Sequence, residues 1–143
     1  MDTIIERVIF LQGVELFSDI PSEQLGHLAG ITQRFTAEAG ETLFKEGDPS
    51  DSMFVLIDGK VQLFRNEVFR LEVTEPQALG VWGFFDEGSR LTTIRCPEES
   101  HFLKINRMDF FDLLEERVHI SEGLLKYFVH RIRALIEQSD IVV

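Results

Sequence analysis

The chain has 143 residues, with 25 acidic and 14 basic side chains for a net charge of −11, and 44% of it is hydrophobic. That is the size and apolar content of one folded domain, and it excludes wholesale disorder. The acidic balance, with Lys and Arg scattered from Arg7 to Arg133, excludes nucleic-acid binding driven by clustered basic residues, although one phosphate can still be held by local geometry.

In chain order, residues 1–32 read as helical. Ile4, Ile5, Val8, Ile9 and Leu11 recur at helical spacing, and Ser22 is the predicted N-cap of a second helix carrying Leu25, Leu28 and Ala29. Residues 33–106 read as short strands. Met53, Val55 and Ile57 alternate with Phe54, Leu56 and Asp58, and the Asp58-Gly59 pair before Val61, Leu63 and Phe64 predicts a hairpin. Gly40, Gly47, Gly59, Gly80 and Gly88, with Pro49, Pro76 and Pro97, interrupt the zone at short intervals, as in a sandwich, barrel or jelly roll. Residues 107–143 are helical again. Asn106 is placed to cap a short helix through Leu114, and Ser121 with Glu122 to start a longer one. The longer helix carries a stripe of Leu124, Leu125, Phe128, Val129, Ile132, Leu135 and Ile136. Part of that stripe is expected to pack on the chain's own sheet, and the remainder leaves room for a homodimer through the C-terminal helix. The three zones are expected to form one domain over 1–143.

The run Gly40-Glu41-Thr42-Leu43, Glu46-Gly47-Asp48, Asp58-Gly59, Leu79-Gly80 and Ser89-Arg90-Leu91-Thr92-Thr93-Ile94 sits inside this helix, strand, helix order. It resembles the cyclic nucleotide-binding domain family, which includes bacterial cAMP receptor proteins and the regulatory subunits of cAMP-dependent protein kinase. The resemblance extends from Phe17 to Ile136. It implies a mainly β fold, a β-roll of jelly-roll type with N-terminal helices and a long C-terminal helix. It also implies a phosphate-binding cassette between the sixth and seventh strands, which assigns ligand contacts to Gly80, Val81, Trp82, Gly83, Arg90, Leu91 and Thr92. The physical basis is general. Backbone N–H groups after a glycine turn face an anion, and a guanidinium binds two phosphate oxygens at once. The spacing from Gly80 to Arg90 equals the family's, so Arg90 falls on the phosphate-binding arginine; the alternative is a loop arginine in a surface ion pair. The implied ligand is cAMP, cGMP or a related phosphorylated compound, with no other cofactor.

The departures bear on that ligand. The family's glutamate, which accepts from the ribose 2′-hydroxyl, is Val81 here. The Ala-Leu that follows in the family is Gly83-Phe84, between Trp82 and Phe85. These rings are either core side chains or, for Trp82 or Phe84, partial fillers of the pocket. Glu87 is the nearest replacement acid, in the middle of the loop. The Thr-Ser pair that contacts adenine in bacterial cAMP receptors falls on Leu135 and Ile136, which cannot hydrogen-bond.

Other chemistry finds little footing. His27, His101, His119 and His130 show no metal-ligand spacing, and the single cysteine, Cys96, excludes an intrachain disulfide or a multi-cysteine metal site. No P-loop, nucleophile elbow or dinucleotide signature is present, so an enzyme is not expected. The N-terminus lacks the pattern of a signal peptide and no stretch approaches a membrane span, so a cytoplasmic chain without membrane insertion is expected. With no helix-turn-helix length after the long helix, direct DNA binding is not expected. A partner protein or a fused effector domain would take the output. Two functions follow: a ligand-binding regulatory module that signals through its C-terminal helices, or a domain with a vestigial pocket that serves dimerisation or protein interaction. The second predicts a dimer in which Arg90→Ala leaves stability, assembly and partner binding almost unchanged.

Overall fold

The structure is a computed structural model that describes residues 1–139. The chain divides into two compact units, residues 1–30 with the segment from 112 onward, and residues 31–111.

The first unit begins with α1 (Ile4–Gln12), capped by Thr3, whose hydroxyl accepts from the Glu6 N–H at 3.1 Å. A 3-10 turn (Glu15–Phe17) leads to α2 (Ser22–Ala29). Here the expected cap shifts by one residue. Pro21, with φ of −58° and an extended ψ, holds the N-cap position, and Ser22 is already helical. The unit resumes with the second half of α3 (Arg107–Glu116) and with α4 (Val118–Ser139). The long helix starts at Val118, before the expected Ser121. Ile120 is fully buried, and its N–H bonds to the Arg117 carbonyl, so burial holds the turn ahead of Ser121 in helical form.

Of the α4 stripe, Leu124 is buried, whereas Leu125, Val129, Ile132 and Leu135 are half or more exposed. Within this unit, Gly123 lies against Ile20 and Asp19. A Cβ at Gly123 would come within 2.7 Å of Ile20 Cγ1 and 2.8 Å of the Asp19 carbonyl. Glycine is therefore what lets the helix approach this segment. Residues 140–143 of the expected C-terminal zone lie outside the described residues.

The second unit is two antiparallel sheets, each with four strands. One is ordered β1 (Thr32–Ala37), β8 (Ser100–Asn106), β3 (Ser52–Asp58), β6 (Ala78–Leu79). The other is ordered β2 (Thr42–Phe44), β7 (Thr93–Arg95), β4 (Val61–Arg65), β5 (Val68–Val73). Phe44, Phe54, Leu56, Val61, Leu79, Ile94 and Phe102, drawn from both sheets, form one apolar core, with Phe54 and Phe102 edge to face at 5.9 Å. Alternation along β3 thus identified a strand buried on both faces.

The hairpin expected at Asp58-Gly59 is absent. Strands β3 and β4 belong to different sheets, and this turn carries the chain from one to the other. Gly59 has φ of +113°, and a Cβ there would overlap the Ser100 side chain. The Ser100 hydroxyl accepts from the Lys60 N–H at 3.0 Å. Asp-Gly thus marks a tight corner rather than a two-strand ladder. The hairpin is formed by β4 and β5 around Asn66 and Glu67, both at positive φ. Asn106 caps α3 as expected, its Oδ1 accepting from the Met108 and Asp109 N–H groups at 2.9 and 3.3 Å.

Candidate functional site

Strands β6 and β7 flank residues 80–92. The segment forms consecutive turns, with the Phe84 N–H on the Val81 carbonyl at 3.2 Å and the Gly88 N–H on the Gly83 carbonyl at 3.0 Å. Two glycines account for the path. Gly80 has φ of +77° and Gly83 of +87°. A Cβ at Gly83 would stand 2.6 Å from the Ser89 carbonyl and 3.0 Å from Ser50 Cβ. A Cβ at Gly80 would overlap the Arg90 guanidinium. The positive φ at Gly83 is also why no regular helix forms at the centre of the segment.

Arg90 is only 3% exposed, so it is no surface ion-pair residue. Its Nη1 donates to the Ser52 carbonyl at 2.6 Å and the Gly80 carbonyl at 3.3 Å. Its Nη2 donates to Ser52 Oγ at 3.1 Å and approaches Asp51 Oδ1 at 3.5 Å. The guanidinium carbon lies 4.0 Å from the centre of the Phe44 ring. The backbone is fixed as well, with the Arg90 N–H on the Asp48 carbonyl at 2.8 Å and the Gly47 N–H on the Arg90 carbonyl at 2.9 Å. Burial pulls the Arg90 pKa below its ordinary value, opposed by the charges of Asp51 and Asp48. Among the described residues, Arg90 Nε is a buried donor with no hydrogen-bond partner. This bonding argues that Arg90→Ala destabilises the fold, against what the vestigial-pocket reading expects.

A cavity of about 130 Å³ opens beside it, lined by Gly80, Val81, Trp82, Arg90, Leu91 and Thr92 together with Phe44, Leu63, Gln77, Leu79 and Ile94. Six of the seven expected ligand-binding positions therefore meet at one wall. The seventh, Gly83, is not in the lining; it packs against Ser50 and Ser89. The alternatives left open for the rings resolve differently. Phe84 is fully buried among Phe85, Phe110 and Phe111, at ring-centre distances of 5.2, 5.3 and 6.3 Å, and is a core side chain. Trp82 lines the cavity with 62% of its surface exposed. No carboxylate is in the lining. Glu87 pairs with Arg107 at 3.3 Å and borders a separate cavity with Ser50 and Asp51.

The partners that fix Arg90 had no signal in the spacing. Ser52 and Phe44 read as ordinary strand residues, and only the strand order brings them to the cassette. Cys96 is fully buried, and burial, helped by the charge of Glu41, pushes its thiol up to about 11, which makes it unreactive near neutrality.

Residues 34–117 match the family model described as the cyclic nucleotide-binding domain. The chain is 30% identical over 138 residues to a CRP-like cAMP-activated global transcriptional regulator of Mycobacterium tuberculosis, with 93% of this chain and 59% of that protein covered. It is 22% identical over 147 residues to the lysophospholipase nte1 of Neurospora crassa, with 98% of this chain and 10% of that protein covered. The chain thus spans from a tenth to about three fifths of these curated relatives. Among solved structures, the N-terminal domain of a transcriptional regulator from Streptomyces coelicolor A3(2) superposes with a TM-score of 0.80 at 29% identity, with 94% of this chain and 97% of that chain covered.

Proposed function

The chain belongs to the cyclic nucleotide-binding domain family, and from that premise we propose a regulatory module, without catalysis of its own, whose β-roll cavity takes a phosphate-bearing ligand of the cyclic nucleotide class. The observation that carries this reading is the buried Nε–H of Arg90, a charged donor with no hydrogen-bond partner on a residue that lines the cavity. An unmet buried donor costs about 1–3 kcal/mol, and a phosphate oxygen accepting from it would remove that cost. On a chain of net charge −11, an anion needs such a local cation. Val81 offers the ribose 2′-hydroxyl no acceptor, which weakens cAMP or cGMP by roughly tenfold to over a hundredfold against a pocket with a carboxylate there. The cavity, about 130 Å³, is also smaller than the roughly 300 Å³ at which small-molecule sites begin. Ligand entry therefore requires the cassette wall around Trp82 to move, and that movement is the signal.

The output runs through the C-terminal helices. The exposed Leu125, Val129, Ile132 and Leu135 recur at helical spacing on α4, which supports a homodimer through that helix. Since the chain spans only part of its curated relatives, an effector segment or partner protein, in the cytoplasm, would receive the signal. Titration calorimetry with cAMP, cGMP and cyclic dinucleotides tests the reading. Saturable heat with one of them supports it, and none at millimolar ligand overturns it.

The second reading is a module with no nucleotide ligand that serves dimerisation or protein interaction. Val81 in the lining and the small cavity favour it. Calorimetry silent for every nucleotide, with self-association retained, would select it.

A further inference from the structure

The wall of the cavity beside Arg90 is short of hydrogen-bond acceptors. Among the described residues that line it, Gln77 and Thr92 alone have side chains able to accept, and Gln77 is exposed. The carbonyls are engaged as well. Those of Gln77, Gly80, Val81 and Arg90 accept from the Leu56 N–H at 3.0 Å, Arg90 Nη1 at 3.3 Å, the Phe84 N–H at 3.2 Å and the Gly47 N–H at 2.9 Å. Ala78 and Leu79 lie in the ladder with β3, and Phe44 and Ile94 in the ladder of β2 with β7. The rest of the wall is apolar, from the buried Phe44, Leu79 and Ile94 to the exposed Trp82 and Leu91. The donor side is the reverse, because Arg90 Nε–H is buried without a partner. The cavity thus asks its ligand for an acceptor and leaves a ligand donor unmet.

We infer that the cavity selects a phosphate carried on an apolar body free of hydroxyl groups over the same phosphate carried on a ribose. This rests on the reading that Arg90 meets the ligand's anion, and it names what else the ligand carries. In a 3′,5′-cyclic nucleotide the 2′-hydroxyl sits on the carbon next to the phosphate-bearing C3′. A phosphate held at Arg90 therefore draws that hydroxyl into the acceptor-poor wall, where a buried hydroxyl without a partner is penalised. The 2′-deoxy compound brings a C–H group to the same place and buries apolar surface instead. An aryl phosphate meets the same demands, with a flat ring that can pack on Trp82. The selection is thus for a ligand rich in acceptors at one end and without O–H donors on its buried surface.

Calorimetry on the full chain with cAMP and 2′-deoxy-cAMP isolates the one hydroxyl. The 2′-deoxy compound is expected to bind on the order of tenfold or more tightly than cAMP. Phenyl phosphate against ribose 5-phosphate repeats the comparison at equal charge and without a base. Trp82, the one tryptophan of the chain, lines the cavity and reports that binding by its fluorescence. Phenyl phosphate is expected to bind more tightly. Val81→Gln adds an uncharged acceptor to the wall, thermal melts confirm that it folds, and the preference for 2′-deoxy-cAMP should shrink severalfold. Three results would each overturn the inference while leaving the anion at Arg90: cAMP bound as tightly as 2′-deoxy-cAMP, ribose 5-phosphate bound as tightly as phenyl phosphate, or a preference unmoved by Val81→Gln. No binding of any of the four at millimolar concentration would overturn it together with the reading on which it rests.

Discussion

Arg90→Ala is the most informative perturbation, because the same side chain is the proposed ligand contact and a buried tie between strands. The substitution removes the 2.6 Å bond to the Ser52 carbonyl, a charge-assisted bond that contributes about 1.5–3 kcal/mol. It also removes the stack on Phe44 at 4.0 Å, about 1–2 kcal/mol in a desolvated site. The Asp51 carboxylate is 83% exposed, so its ion pair adds roughly nothing. Against these losses, the folded state no longer bears a buried charge, which returns roughly 1 kcal/mol. The net is a destabilisation of about 1.5–4 kcal/mol, or a fall in Tm of roughly 5–13 °C for a chain of this size. Calorimetric or circular-dichroism melts without ligand measure it. Arg90→Lys, which keeps the charge but loses the planar fork, should recover less than half of the loss. A change in Tm below roughly 1 °C for Arg90→Ala would refute the assignment of Arg90 as a structural tie and return it to the status of a loop arginine.

Three further outcomes are expected. Val81→Glu restores an acceptor at the family's ribose position and should raise cAMP affinity by roughly tenfold to a hundredfold in calorimetry; unchanged affinity would mean that the rest of the cavity is not competent. Gly123→Ala places a methyl within 2.7 Å of Ile20 Cγ1 and should destabilise by about 1–3 kcal/mol in urea unfolding; a neutral result would contradict the close approach of α4 to Asp19 and Ile20. The Cys96 thiol, pushed up to about 11 from a usual value near 9, stabilises the fold fully below the usual value. That contribution, on the order of 2 kcal/mol, is lost as pH rises from about 9 through 11. Cys96→Ala should flatten the fall in stability over that window, and an identical slope in both proteins would contradict it.

Sequence patterning located the two helical zones and the strand zone because burial imposes periods that survive in the residue order. Leu25, Leu28 and Ala29, read as one stripe and buried together on α2, are an example. The glycine spacing was legible for a different reason. Gly80 sits at positive φ where a Cβ would meet Arg90, so the backbone itself demands the residue, whereas Gly83, at positive φ against the Ser89 carbonyl, read only as a departure from the family. Asp58-Gly59 shows the limit of this reasoning. The dipeptide encodes a tight turn, but whether the flanking strands then pair depends on sheets assembled from distant segments. The same holds for Arg90. Its position in the cassette was readable, whereas its inward tie to Ser52 depends on β3 running beside β6, which no local pattern reports.

The central claim is that the Nε–H of Arg90 is the donor that meets the ligand's phosphate. Its proton–nitrogen resonance, followed by NMR while cAMP or cGMP is added, tests this most directly. A downfield shift that saturates in step with the calorimetric heat is the predicted result. Binding that leaves the Arg90 Nε–H signal in place, or no response of any kind at millimolar nucleotide, would contradict it.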